Sequence, residues 1–245
     1  MRVTWRPELP EIFVHAAWAR PEGLNGHPLH GAAKERRDIN AADEIVRSLV
    51  NPEYLDDIFG LCYRSRPIVV APVSDPKASR NALAATFAGF LANELEFELS
   101  NDIVQAGSTG RDMTRENWYR LTHEASFSGV VERDRNYIIA DDVFTLGGTL
   151  AALHGFILDK EANVICMTTL AGTPKGRNPI SLAAKMIVRL NKACGGELPA
   201  IVKEELGYEI DCLTNREAEF VLNACKSGAD FRAGIARGRG QTPVG

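Results

Sequence analysis

The chain has 245 residues, a formal net charge of -4, 45% hydrophobic and 24% charged residues, the balance of a globular chain able to bury a core. That charge excludes an overall nucleic-acid footprint, and no apolar run approaches the roughly 20 residues that span a bilayer. The five cysteines are odd in number and show no CxxC spacing, which argues against a disulfide framework or a zinc cluster and fits reduced thiols in a cytoplasm. The opening Met1-Arg2-Val3-Thr4-Trp5-Arg6-Pro7 has no apolar core of a signal peptide, so a cytoplasmic location is the expectation.

Residues 1 to 31 are rich in Pro, Gly and His, with an apolar patch from Ile12 to Trp18. They read as an irregular arm holding at most one short strand or helix. His27 and His30 form an HxxH without a Cys or acidic partner nearby, a pattern of loop residues rather than metal ligands. Residues 32 to 50 place Ile39, Ala42, Ile45, Val46 and Leu49 near one helical face, and Pro52 ends that helix. A second helix is expected over Tyr54 to Gly60.

Pro67 to Val73 is a β-branched apolar run suited to a buried parallel strand. It gives way to a polar stretch containing Ser74, Lys77 and Arg80, then to a helix over about Ala78 to Leu95. A strand, a loop with cations and a helix N-terminus together form an anion-binding arrangement. Glu96 to Leu99 reads as a further strand, with Val104 to Ala106 as its continuation or partner. The segment from Gly107 to Gly129 is long, polar and cationic, carrying Arg111, Arg115, Arg120 and His123. Long loops between strands of a compact domain are usually functional or disordered. Gly129 to Val131 and Tyr137 to Ala140 are the next strand-like pieces.

The stretch from Tyr137 to Leu150 carries the clearest chemistry. Tyr137-Ile138-Ile139-Ala140 suits a strand buried on both faces; Asp141 and Asp142 come next, then Thr145, Gly147, Gly148 and Thr149, then an apolar helix from Leu150 to Leu158. A strand that feeds a helix through a Gly/Thr loop is a phosphate site, because glycine lets the backbone approach an anion that free N–H groups and the helix dipole favour. The threonine hydroxyls add donors. Two carboxylates beside a phosphate serve other groups: they accept hydrogen bonds from sugar hydroxyls or hold magnesium through its waters.

The thirteen residues from Ile138 to Leu150, with an apolar start, an Asp-Asp pair and a Thr-x-Gly-Gly-Thr close, resemble the phosphoribosyl pyrophosphate (PRPP) motif of the type I phosphoribosyltransferases. The resemblance implies that Asp141 and Asp142 contact the ribose hydroxyls, directly or through magnesium-bound water. It implies that the loop of Thr145, Leu146, Gly147, Gly148 and Thr149 cradles the 5′-phosphate. Leu146 stands where many members carry a second threonine, leaving backbone donors there. Thr145 stands where the purine-salvage branch carries its base-activating carboxylate, which argues against a hypoxanthine or guanine acceptor. The resemblance also implies that the loop with Ser74, Lys77 and Arg80 meets pyrophosphate. Its mobile catalytic loop falls within residues 107 to 128, with Arg111, Arg115 and His123 as candidates.

Ala162 to Leu170 is another buried strand, and Thr168 to Gly172 is an acceptor-contacting loop candidate. Ligands of open parallel sheets sit outside the carboxyl ends of the strands, so the ends at Pro72, Asp141 and Thr169 are expected to line one crevice. A helix covers residues 180 to 194. Leu213-Thr214-Asn215-Arg216-Glu217 is similar to the first helix of a LuxR-type helix-turn-helix, but a capping box from Thr214 to Glu217 explains it. Gly228, Gly234, Gly238 and Gly240 interrupt the remaining C-terminal stretch, and the basic tail from Arg232 to Arg239 reads as frayed.

Strand–helix alternation from Pro67 to Leu170 argues for an α/β fold with a parallel, Rossmann-like sheet and helices on both faces. Three segments are expected: an N-terminal arm with helices over 1–62, a phosphoribosyltransferase-like core over 63–212, and a C-terminal helix with a basic tail over 213–245. The resemblance implies a magnesium-dependent transferase taking PRPP and a small nitrogenous acceptor. Asp141, Asp142, Lys77, Arg80, Arg111 and Arg115 would act in catalysis, with Asp141 and Asp142 at the metal. A PRPP-sensing regulator without turnover is the competing function. No membrane or nucleic-acid partner is expected, and the resemblance admits a homodimer.

Overall fold

The computed structural model describes residues 2–5, 11–19, 21–73, 82–106 and 117–240. In chain order the strands are β1 (Glu11–Ala17), β2 (Ile68–Val70), β3 (Glu98–Ser100), β4 (Ile103–Ala106), β5 (Ser126–Gly129), β6 (Asn136–Phe144), β7 (Asn163–Gly172) and β8 (Gly176–Pro179). The helices are α1 (His30–Glu35), α2 (Ile39–Leu49), α3 (Pro52–Cys62), α4 (Leu83–Glu94), α5 (Asn117–Thr122), α6 (Gly148–Asp159), α7 (Ala184–Ala193), α8 (Leu198–Leu206), α9 (Asn215–Ala224) and α10 (Gly228–Gly240).

Six strands form one sheet in the order β3-β2-β6-β7-β1-β8, parallel throughout except where β8 runs against β1. The crossovers that parallel pairing demands are supplied by helices. Alternate residues of each strand go to opposite faces, and both faces are apolar. Phe13, Val69, Ile138, Ala140 and Leu170 pack with Ala42, Ile45, Phe87 and Leu91 of the helices on one side. Val14, Val70, Ile139 and Met167 pack with Leu150, Leu153 and Ile157 of α6 on the other. A strand buried on both faces reads as a continuous apolar run, and each fully buried aliphatic side chain contributes about 1.5–3 kcal/mol. The fold class is therefore the expected α/β one, with helices on both faces.

The N-terminal arm does more than cover the sheet. β1 is its fifth strand, wedged between β7 and β8 with Ile12 and Val14 fully buried. The sheet thus takes a strand from the segment before residue 62. The single helix expected over 32–50 is two, because Arg37 adopts a left-handed φ of 58° and Asp38 caps α2 by accepting the Ala41 N–H. Pro52 starts α3 at its first turn, where a missing N–H costs nothing. β4 and β5 form a separate antiparallel pair flanking the segment 107–125.

A third core lies away from the sheet. Trp118 and Leu121 of α5 join Leu190, Leu198, Ile201, Val221, Phe231 and Ile235 of α7 to α10. Here the structure overturns an expectation. The stretch read as frayed and glycine-interrupted is one continuous helix, α10, running from Gly228 to Gly240. Two of its glycines are sites of contact: a Cβ at Gly234 would lie 2.3 Å from the Trp118 ring, and one at Gly238 only 2.4 Å from the Trp118 carbonyl. Two of its arginines are paired with carboxylates of α8, Arg232 with Glu204 and Glu205, and Arg239 with Glu205. Among the described residues, no helix is long and apolar enough to cross a membrane.

Candidate functional site

β6 carries Asp141 and Asp142 to its C-terminal end, between β2 and β7. Asp141 is buried, with 6% of its surface exposed, and faces Thr169 of β7 in register. Its Oδ1 accepts the Asp142 N–H at 2.8 Å. Asp142 is half-buried. The two carboxylates therefore differ in environment, one buried and bonded to the next backbone N–H, the other partly exposed.

The chain then turns into α6 through Gly147, which caps the helix with a left-handed φ of 82°. A non-glycine residue is strained there. It would also lack space, because a Cβ would meet the Phe144 ring at 2.9 Å and Ile180 at 3.0 Å. Leu146 and Gly147 are buried, while Thr145, Gly148 and Thr149 keep partial exposure. A helix N-terminus whose outward residues are Thr, Gly and Thr presents backbone and hydroxyl donors to an anion.

Side chains from distant sequence also hydrogen-bond to this loop. The Arg120 guanidinium on α5 donates to Thr145 Oγ1 at 3.3 Å, which brings a cation from α5 to the motif. His123, a sequence candidate, is engaged on its own helix instead, stacked on Tyr119 at 3.8 Å with Nδ1 against Thr122 and the Tyr119 carbonyl. The second contact comes from Thr214, whose hydroxyl donates to the Leu146 carbonyl. Behind it lies a buried ion pair in which Arg2 Nη1 and Nη2 bind Glu217 at 2.5 and 2.8 Å. Burial opposes the Arg2 charge, but the fields of Glu217, Tyr208 and Glu124 outweigh it and hold the guanidinium above its ordinary pKa. No sequence pattern signals this pair, because its members are 215 residues apart.

Ser74, Lys77, Arg80, Arg111 and Arg115 lie outside the described residues. The Thr168–Gly172 stretch is the C-terminal half of β7 rather than a loop. Thr168 is committed to structure, its hydroxyl donating to the Phe13 carbonyl and meeting His15 Nε2 at 3.1 Å. Thr169 is fully buried, and among the described residues its Oγ1 has no hydrogen-bond partner. It stands beside Asp141 on the same sheet face.

Among the described residues no group of three or more His, Cys, Asp or Glu side chains could hold a metal ion. Magnesium does not need one, since it keeps several waters and is commonly bound by one or two carboxylates plus substrate phosphates. The oxygen donors of Asp141 and Asp142 fit an ion of that kind.

No family model matches the chain. It is 31% identical to Protein TraN of Escherichia coli over 218 residues, which is 89% of this chain and 48% of TraN. It is 27% identical over 161 residues to an uncharacterized protein of Haemophilus influenzae, covering 66% of this chain and 35% of that protein. The chain thus spans about half the length of TraN and about a third of the second relative. Among solved structures, a hypoxanthine phosphoribosyltransferase of Staphylococcus aureus aligns over 56% of this chain and 65% of its own, with a TM-score of 0.35 and 18% identity. A hypoxanthine-guanine phosphoribosyltransferase of Bacillus anthracis aligns over 58% of this chain and 77% of its own, with a TM-score of 0.37 and 18% identity. Likenesses of this size carry no function across.

Proposed function

We propose that the chain is a magnesium-dependent phosphoribosyltransferase that takes PRPP and a small nitrogenous acceptor. One observation carries the reading: a buried parallel strand carries Asp141 and Asp142 near its C-terminal end at Phe144 and then runs into a left-handed Gly147 cap whose flanking Thr145, Gly148 and Thr149 keep partial exposure. That combination matches a sugar phosphate, with hydroxyl acceptors and phosphate donors set on one short loop.

In this reading the loop from Thr145 to Thr149 and the α6 N-terminus bind the 5′-phosphate, and Arg120 adds a charge-assisted donor. Asp141 and Asp142 accept hydrogen bonds from the ribose hydroxyls and would hold magnesium, which supplies charge neutralisation to the diphosphate when bound. The C1′–O bond breaks with its electron pair leaving on pyrophosphate. A C1′–N bond forms to the acceptor nitrogen, which loses its proton. Positive charge develops on the ring at the transition state, and the fixed carboxylates stabilise it. Lys77, Arg80, Arg111 and Arg115 are assigned to the leaving diphosphate from the sequence.

The test is calorimetric titration with PRPP, with and without magnesium, followed by pyrophosphate release across a panel of nucleobases. Magnesium-dependent binding with release for one base is the expected result. Binding without release for any acceptor would replace the enzyme with a PRPP-sensing protein. Absence of PRPP binding would overturn the reading.

A further inference from the structure

The α9 capping box is shared with the loop before α6. In an ordinary capping box the hydroxyl accepts the N–H three residues on, and the Glu carboxylate accepts the N–H of the cap residue. Thr214 and Glu217 make both bonds, at 3.0 and 2.9 Å. Each group also has a second engagement. The Thr214 hydroxyl proton goes to the Leu146 carbonyl at 2.5 Å, and the Glu217 carboxylate receives both Arg2 nitrogens. Thr214 and Glu217 are each fully buried.

The assembly is packed against the loop itself. A Cβ at Gly148 would lie 2.9 Å from Arg2 Nη2 and 3.0 Å from Glu217 Oε1, and one at Gly147 would lie 3.2 Å from Thr214 Cγ2. Leu146 and Gly147 are covered, whereas Thr145, Gly148 and Thr149 stay half-exposed. The peptide unit is planar and trans, so its C=O and the following N–H point in opposite directions. A Leu146 carbonyl held by Thr214 therefore aims the Gly147 N–H away from Thr214. A flip of that peptide would reverse the donor at the start of α6 and break the Thr214 bond.

We propose that Thr214, with Glu217 and Arg2 behind it, is a positioning residue that fixes the Leu146–Gly147 peptide and so preorganises the loop for an anionic group. The proposal rests on the phosphate-binding reading of the loop. It adds a cause from outside the motif: the helical unit after the sheet sets the orientation of the motif's backbone donor. The double-glycine sequence then has a second reason, since Gly148 leaves room for the ion pair.

The experiment compares wild type with Thr214→Val and Thr214→Ser. Affinities for ribose 5-phosphate and PRPP are measured well below the melting temperature, and amide hydrogen exchange at residues 146–149 is measured in the free protein. Thr214→Val should weaken both ligands about tenfold, the size of one lost hydrogen bond. It should also speed exchange locally, beyond the change elsewhere in α6 and α9. Thr214→Ser, which keeps the hydroxyl, should restore both. Should Thr214→Val fold poorly, Thr214→Ala, which also removes the hydroxyl and leaves the Arg2–Glu217 pair intact, gives the same two readouts. A lower melting temperature with unchanged affinity and unchanged local exchange would reduce the contact to ordinary packing and overturn the proposal. If wild type binds neither ligand, the phosphate reading fails, and local exchange alone decides whether Thr214 holds the loop.

Discussion

The Arg120 guanidinium donates to the Thr145 hydroxyl at 3.3 Å, joining two residues 25 positions apart in sequence. The contact depends on where α5 sits. Trp118, two residues earlier, lies against Gly234 and Gly238 of α10 and packs edge-on against Phe220 and Phe231. The C-terminal helices thus hold the cation at the loop by anchoring its helix.

Arg120→Gln should weaken PRPP binding about tenfold to a hundredfold, because a hydrogen bond to a charged group contributes about 1.5–3 kcal/mol. The melting temperature should stay nearly constant, since Arg120 is only half-buried. Calorimetry on the folded variant checks this. Unchanged affinity would confine the contact to the ligand-free loop.

Gly234→Ala should destabilise the protein by about 1–3 kcal/mol, the usual penalty of overpacking, as its Cβ would lie 2.3 Å from the Trp118 ring. Among the described residues a Cβ at Gly240 meets nothing within 4 Å, so Gly240→Ala should be neutral or slightly stabilising. Urea unfolding of the two variants separates a specific notch from a general effect of alanine in α10.

Replacing Asp141 and Asp142 together with asparagine should abolish measurable PRPP binding while leaving the sheet intact. On the proposed function, the loss would combine two sets of charge-assisted hydrogen bonds to the sugar with the magnesium affinity assigned to the pair. Circular dichroism and calorimetry on one preparation test both halves, and full affinity in the double variant would remove the carboxylates from the site.

His15 makes the stability pH-dependent. Burial lowers its pKa to about 4 from an ordinary 6.5. The folded protein thus favours neutral His15, and the unfolded chain binds more protons between pH 4 and 6.5. This contribution is complete above pH 6.5 and fades as pH falls towards 4, at a cost of about 2 kcal/mol between pH 7 and 5. Urea midpoints at those two pH values should differ less in His15→Gln than in wild type. An equal difference would place the titration elsewhere.

The motif strand was legible because burial on both faces leaves a run without polar interruption, and Tyr137 to Ala140 has none. The loop was legible because a left-handed cap selects glycine at 147, and the α9 start because a capping box is a local pattern. These features depend on a few adjacent residues, so the sequence by itself determined the α/β class, the acidic pair and the Gly/Thr loop. Tertiary structure decided the rest. The β1 strand belongs to the sheet only because β7 and β8 flank it, and α10 is a helix despite its glycines because Trp118 fills the space they leave. Likewise Arg120 at Thr145, and Arg2 with Glu217 behind Gly148, are contacts across 25 and 215 positions. Packing and long-range ion pairing choose partners by proximity in the folded chain, and no local spacing encodes that proximity.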